Sequence, residues 1–237
     1  MKITGFVFAA GLGTRLYPLT ATKPKALVKY KGKTLLDNAL GKMVECGVNN
    51  IIVNVHHFPD MMVEEIRRHA LAGMIHISDE RAYLRDTAGG VKFAEPFWEE
   101  SDLILCYNVD IQSNIDLSKL IDHHVRYGAE ATLAVRNRQT QRYFLFERER
   151  VALCGWENVK TQERIVVRET VSALPLAFSG IHVMNADFAH RIPSVEKSSV
   201  TQFYLSEANS HRILGYIHDE DTWQDVGKFQ EYHNLLS

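Results

Sequence analysis

Cysteine is scarce in this 237-residue sequence: Cys46, Cys106 and Cys154 are the only three, widely spaced and odd in number. They make neither a disulfide framework nor a metal-ligand spacing, which fits a reducing compartment and predicts a cytoplasmic protein. No basic run stands out and the formal charge is −2, so nucleic acid is excluded as an expected partner. No apolar stretch is long enough to cross a bilayer, so no membrane partner is expected. The apolar start has a single basic residue ahead of it and ends in glycines, so it reads as a strand and not as a signal peptide. Internal repeats and low-complexity tracts are missing too. What is left is an ordinary globular composition, 46% hydrophobic, at a length that suits one domain with a substantial core.

The most informative stretch runs from Phe8 to Leu27, FAAGLGTRLYPLTATKPKAL. It follows the apolar run Ile3 to Ala9, a predicted buried strand. Gly11 and Gly13 open a loop whose backbone N–H groups can approach one anion closely. Arg15 adds a planar cation matched to phosphate oxygens. Pro24 fixes the backbone just before Lys25. Strand, glycine loop, Arg and Lys together suit a polyphosphate. A Walker loop is excluded because no Lys follows the last glycine, and a dinucleotide fingerprint because position 16 is Leu.

The rest of the chain alternates strands and helices. Helices are predicted over Thr34 to Cys46, Met61 to Ala72 and Leu117 to Tyr127. Strands are predicted over Asn50 to Val55, Ile75 to Ser78, Leu103 to Tyr107 and Ala131 to Arg136. This rhythm implies βαβ units and a parallel sheet, with ligands beyond the carboxyl ends of its strands. The small-residue cluster Thr87 to Gly90 reads as the end of a loop ahead of a further helix. Asp110 falls just past a strand end, where a hard carboxylate suits Mg²⁺. The pairs His56–His57 and His123–His124 cannot each face one site and read as surface or edge residues. From Tyr143 to Val167 short alternating runs predict a small antiparallel insertion facing the sheet. No Ser–His–Asp set is apparent. A last amphipathic helix is expected through Leu236.

The run Gly-x-Gly-x-Arg, then Pro-Leu-Thr and Lys-Pro-Lys, resembles the signature of the sugar-1-phosphate nucleotidyltransferases. The Phe178-Ser179-Gly180-Ile181 strand and Trp223-Gln224-Asp225-Val226-Gly227 extend that resemblance over nearly the whole chain. It implies a single α/β domain, 1–237, with a Rossmann-like, mainly parallel mixed sheet. Residues 1–136 would bind nucleotide, and residues 137–237 would bind sugar and supply a second metal carboxylate. It implies a nucleoside triphosphate held by Ala10, Gly11, Gly13, Thr14 and Arg15, with Lys25 at the reacting phosphates. Glu80, Thr87 and Gly89 would face the base, although Asp86 stands where the family pattern has glycine and Arg85 is an insertion. Asn108, Lys160, Ser179 and Gly180 would face the sugar, although the family's Glu-Lys-Pro around the Lys is missing. Asp110 and Asp225 would share Mg²⁺.

The short chain and its terminal motif are most similar to members that join UTP to N-acetylmuramate 1-phosphate in cell-wall recycling. Other members use mannose 1-phosphate with GTP or glucose 1-phosphate with dTTP. The expected assembly is a monomer or small homo-oligomer. A non-catalytic sensor on the same fold would have lost a metal carboxylate or Lys25, and all three residues are present.

Overall fold

The computed structural model describes residues 1–194 and 197–228, so the helix expected through Leu236 lies outside the described residues. In chain order come β1 (Ile3–Phe8), β2 (Lys29–Tyr30), β3 (Lys33–Thr34), α1 (Leu35–Glu45), β4 (Asn50–Val55), α2 (Pro59–Arg68) and β5 (Ile75–Asp79). Then follow α3 (Asp86–Phe93), β6 (Leu103–Asn108), β7 (Ile111–Ser113), α4 (Leu117–Arg126), β8 (Ala131–Arg136), β9 (Arg142–Glu147), β10 (Ala152–Asn158) and β11 (Glu163–Val166). The last are β12 (Ala173–Asn185), α5 (Ala186–Ala189), α6 (Val200–Glu207), β13 (Ile213–Ile217) and β14 (Trp223–Asp225).

Ten strands form one sheet in the order β11-β10-β13-β8-β12-β6-β1-β4-β5, with β9 bridging β10 and β12. The strands β5, β4, β1 and β6 are mutually parallel, as are β13 and β8, and only β12 and β10 run against the rest. The sheet is buried on both faces. Along β1, Val7 packs with α1, α2 and α4 on one side, while Phe6 and Phe8 pack with α3 and α6 on the other. A strand covered on both faces needs a continuous apolar run, which is what these segments have.

Local chemistry sets the element ends. Thr34 and Asp37 form a reciprocal capping box at the start of α1, with bonds of 3.0 and 2.9 Å. Such a cap contributes about 1 kcal/mol. α1 then buries Leu35, Leu36, Ala39, Leu40 and Met43. α2 stops at Arg68, short of the expected Ala72, because His69 is extended and its ring holds Asp37 Oδ1 at 3.0 Å.

α3 begins at Asp86, so Thr87 to Gly90 are its first turns and not a loop before it. The Ser198 carbonyl accepts from Ala88 N and Gly89 N at 2.9 and 3.1 Å, capping it from far along the chain. The antiparallel segment does not face the sheet, as the sequence suggested; β9 and β10 hydrogen-bond into it. His124 is no surface residue either: it is 1% exposed and its ring meets Thr132 Oγ1 and Asn185 Oδ1, each at 3.0 Å.

Candidate active site

The carboxyl ends of β1, β4 and β6 lie side by side, with Phe8 in register with both Asn54 and Asn108. Beyond them the chain opens a cavity of about 360 Å³, lined by Ala10, Gly11, Arg15, Lys25, Asn108 and Asp110. Asp86 and Thr87 line this cavity and also a second one of about 420 Å³, which extends to Arg142, Trp156, Phe178 and Gln202. The two together form a cleft along the carboxyl edge.

The glycine loop is built for its turn. Gly13 has φ +67, and a Cβ there would sit 2.9 Å from Thr20 Cγ2, whose Oγ1 donates to the Gly13 carbonyl at 2.9 Å. A Cβ on Gly11 would lie 3.6 Å from Lys25 Nζ, so Lys25 runs directly beneath the loop. The Ala9 and Ala10 N–H groups donate to Asn54 Oδ1 at 2.7 and 3.2 Å.

Two carboxylates converge at the mouth of this cavity. β14 pairs antiparallel with β7, placing Asp225 opposite Ile111. Val226 N donates to the Asp110 carbonyl at 3.0 Å, and Tyr30 Oη donates to Gln224 Oε1 at 2.9 Å. A Cβ on Gly227 would collide with Asp110 Oδ2 and lie 2.8 Å from Asp225 Oδ1, so only glycine fits between them. Lys25 Nζ donates to Asp110 Oδ2 at 2.9 Å. Arg15 bridges the pair, 3.9 Å from Asp110 and 3.8 Å from Asp225. Among the described residues no three His, Cys, Asp or Glu side chains cluster for a metal. Two hard carboxylates beside the glycine loop do suit an ion that takes its other ligands from water and substrate.

The other expected site residues fall in different places. Thr14 begins the short turn after Gly13. Thr87 and Asn108 stand where the two cavities meet. Gly180 has φ +75, and a Cβ there would lie 2.8 Å from Asn108 Nδ2.

Glu80, expected at the base, is 1% exposed behind the cavity wall. It accepts from Asn54 Nδ2 at 2.8 Å and from Arg85 N at 3.1 Å, so it orients Asn54, which lines the cavity. Burial raises its pKa, and those hydrogen bonds only partly oppose the shift. Gly89 is buried in α3 and borders a separate hollow behind it. Lys160 is exposed between β10 and β11 and lines neither cavity.

Ser179 also lines neither cavity. It is fully buried, with its Oγ 2.7 Å from His218 Nε2, while His218 Nδ1 lies 3.5 Å from Asp221 Oδ2. With Ser179 shut away from both cavities and the His218 ring 3.5 Å from Asp221, this is not the nucleophile set that the sequence reading looked for. The buried Ser179–His218 pair clasps β12 to the loop that leads into β14, where Trp223 Nε1 donates to the Ser179 carbonyl at 2.9 Å.

Sequence reasoning missed Asn54 and Lys197, both of which line the first cavity. A signal for Asn54 was present, since it is a lone amide in the apolar run IIVNV. Lys197 lies in a polar stretch with no distinguishing pattern.

The chain is 28% identical over 229 residues to an N-acetylmuramate alpha-1-phosphate uridylyltransferase of Caulobacter vibrioides, covering 93% of this chain and 90% of that one. It is 26% identical over 237 residues to a mannose-1-phosphate guanyltransferase of Yarrowia lipolytica, covering 96% of this chain but only 61% of that relative. The fold matches HddC from Yersinia pseudotuberculosis, solved with GMP-PN, at a TM-score of 0.75 and 17% identity over 99% of this chain and 98% of that one. Residues 4–151 match the family described as nucleotidyl transferase, and this chain belongs to that family.

Proposed function

We propose that the protein transfers a nucleoside monophosphate from a nucleoside triphosphate to a sugar 1-phosphate. An oxygen of the sugar phosphate attacks the α-phosphorus, the bond from that phosphorus to the β-phosphate oxygen breaks, and pyrophosphate leaves with its electron pair. The sugar phosphate is already an anion at neutral pH, so no general base is required. The obstacle is bringing two anions together in line, which calls for positioning and cations. The observation that carries this reading is the convergence of Arg15, Lys25, Asp110 and Asp225 at the mouth of the glycine-loop cavity.

In this reading the backbone of Gly11 and Gly13, with Arg15, holds the triphosphate. Lys25 stabilises charge on the reacting phosphates, and Asn108 orients the sugar from the junction of the two cavities. Asp110 and Asp225 would hold Mg²⁺, which when bound neutralises phosphate charge.

The similarity at 28% identity over 93% of the chain supports UTP and N-acetylmuramate 1-phosphate as substrates. The test is a pyrophosphate-release panel crossing UTP, GTP, dTTP and ATP with several sugar 1-phosphates. UTP is expected to exceed GTP at least about tenfold in kcat/KM, roughly 1.4 kcal/mol of transition-state binding. N-acetylmuramate 1-phosphate is expected to exceed mannose 1-phosphate. A preference for GTP with mannose 1-phosphate would overturn the substrates and leave the reaction class standing. No pyrophosphate with any pair would overturn the reaction.

A further inference from the structure

The proposed reaction needs a cation on the acceptor side, because the sugar phosphate has to approach an anionic triphosphate in a half-open cleft. Arg15 and Lys25 both rise from the glycine-loop wall and both face Asp110. Lys160, the residue expected from sequence, is exposed in the turn after β10, where its backbone N–H is tied to Asn158 Oδ1 at 3.1 Å.

The first cavity does have a third cation, Lys197, on the segment that leads into α6. That segment is fixed to the start of α3. Ser198 N donates to the Arg85 carbonyl at 3.1 Å, and the Ser198 carbonyl takes the Ala88 and Gly89 N–H groups. Val200 N donates to Thr87 Oγ1 at 2.9 Å. The residues that follow, Thr201 and Gln202, line the second cavity. The segment therefore runs from one cavity to the other, with Lys197 at the glycine-loop end. An acceptor whose sugar ring occupies the second cavity presents its phosphate at this end.

We propose that Lys197 binds the phosphate of the sugar 1-phosphate, in the role the sequence suggested for Lys160. This rests on the reaction proposed above. Lys197 is exposed, so replacing it leaves the core untouched. The test compares wild type with Lys197→Ala, Lys197→Arg and Lys160→Ala by two measurements. One is steady-state pyrophosphate release. The other is calorimetric titration of N-acetylmuramate 1-phosphate and N-acetylglucosamine 1-phosphate in the presence of a non-hydrolysable UTP analogue.

Lys197→Ala is expected to raise both the KM and the Kd for sugar 1-phosphate at least about tenfold, the scale of a lost charge-assisted phosphate contact. The KM for UTP should stay within about twofold, because the contact is made to the other substrate. Lys197→Arg should recover most of the loss, and Lys160→Ala should match wild type. Unchanged sugar-phosphate constants in Lys197→Ala overturn the proposal, as does the loss appearing in Lys160→Ala. An equal rise in the KM for UTP also overturns it, by placing Lys197 on the triphosphate. If wild type releases pyrophosphate and Lys197→Ala behaves like it, only this assignment falls. If wild type releases no pyrophosphate with any pair of the panel above, the proposed reaction falls as well.

Discussion

Burial and charge pull Asp110 in opposite directions. Burial is the largest influence and pushes its pKa up, but the Lys25 ammonium, its hydrogen bond and Arg15 together hold the carboxyl below its ordinary value. A carboxyl depressed on folding adds stability that is present above its unfolded pKa and is lost as pH falls through the folded one. Replacing Lys25 with Met removes the larger part of that support and leaves the buried carboxylate with only a backbone hydrogen bond and the more distant Arg15, a change that costs up to about 3–5 kcal/mol. The folded pKa of Asp110 then rises, because burial meets less opposition. The melting temperature of Lys25→Met should therefore fall furthest below wild type near neutral pH. The gap should narrow as pH drops toward the carboxylate range and Asp110 takes up a proton. A gap that does not vary with pH would show that Asp110 is not the group involved. In kinetics the same variant should lose kcat if, as in the proposed reaction, Lys25 meets charge that builds in the transition state. A pure KM effect would make it a ground-state binding residue. Asp110→Asn, which removes charge at constant size, should cut metal-dependent turnover by orders of magnitude while circular dichroism stays native.

Glycines separate the elements that form the site from those that only support it. Gly227→Ala should abolish turnover, since its Cβ has no space between Asp110 and Asp225. Gly41 lies inside α1 with nothing within 4 Å of its would-be Cβ. Gly41→Ala should therefore raise stability by about 0.5–1 kcal/mol, read as a higher Tm, with activity unchanged. The same contrast between local and distant contacts explains which elements the sequence revealed. β4 and β8 matched their expected ranges because a strand buried on both faces has a continuous apolar run. α1 carried its own cap. The start of α3 was misplaced because Gly89 and Gly90 are poor helix formers, and its capping carbonyl, that of Ser198, lies more than a hundred residues away. The alternation in β9 and β10 was readable, but their pairing with β12 and β13 was not, since register with a distant strand leaves no local mark. The glycine loop, Arg15 and Lys25 stood out because they are close together in sequence. Asn54 and the Ser179–His218 clasp act only through contacts made on folding.

At the scale of the molecule, one sheet joins the segment expected to bind nucleotide to the segment expected to bind sugar. β12, from the second, pairs with β6 and β8 from the first and with β9 from its own segment, so neither part can lose its strands without exposing the other. Calorimetry should accordingly show a single unfolding transition, and two resolved transitions would mean that the parts are separate folding units. The short β7–β14 ribbon stands outside this sheet and has a consequence in time. Ribosomes make Asp110 early and Asp225 late, and the two carboxylates meet only when β14 closes on β7. A nascent chain that has reached Ile217 has emitted every strand of the large sheet and the whole glycine loop, yet it still lacks Asp225. In the proposed reaction such a chain would already carry the triphosphate loop while still lacking one of its two carboxylates, so competence would wait on the ribbon and not on the sheet.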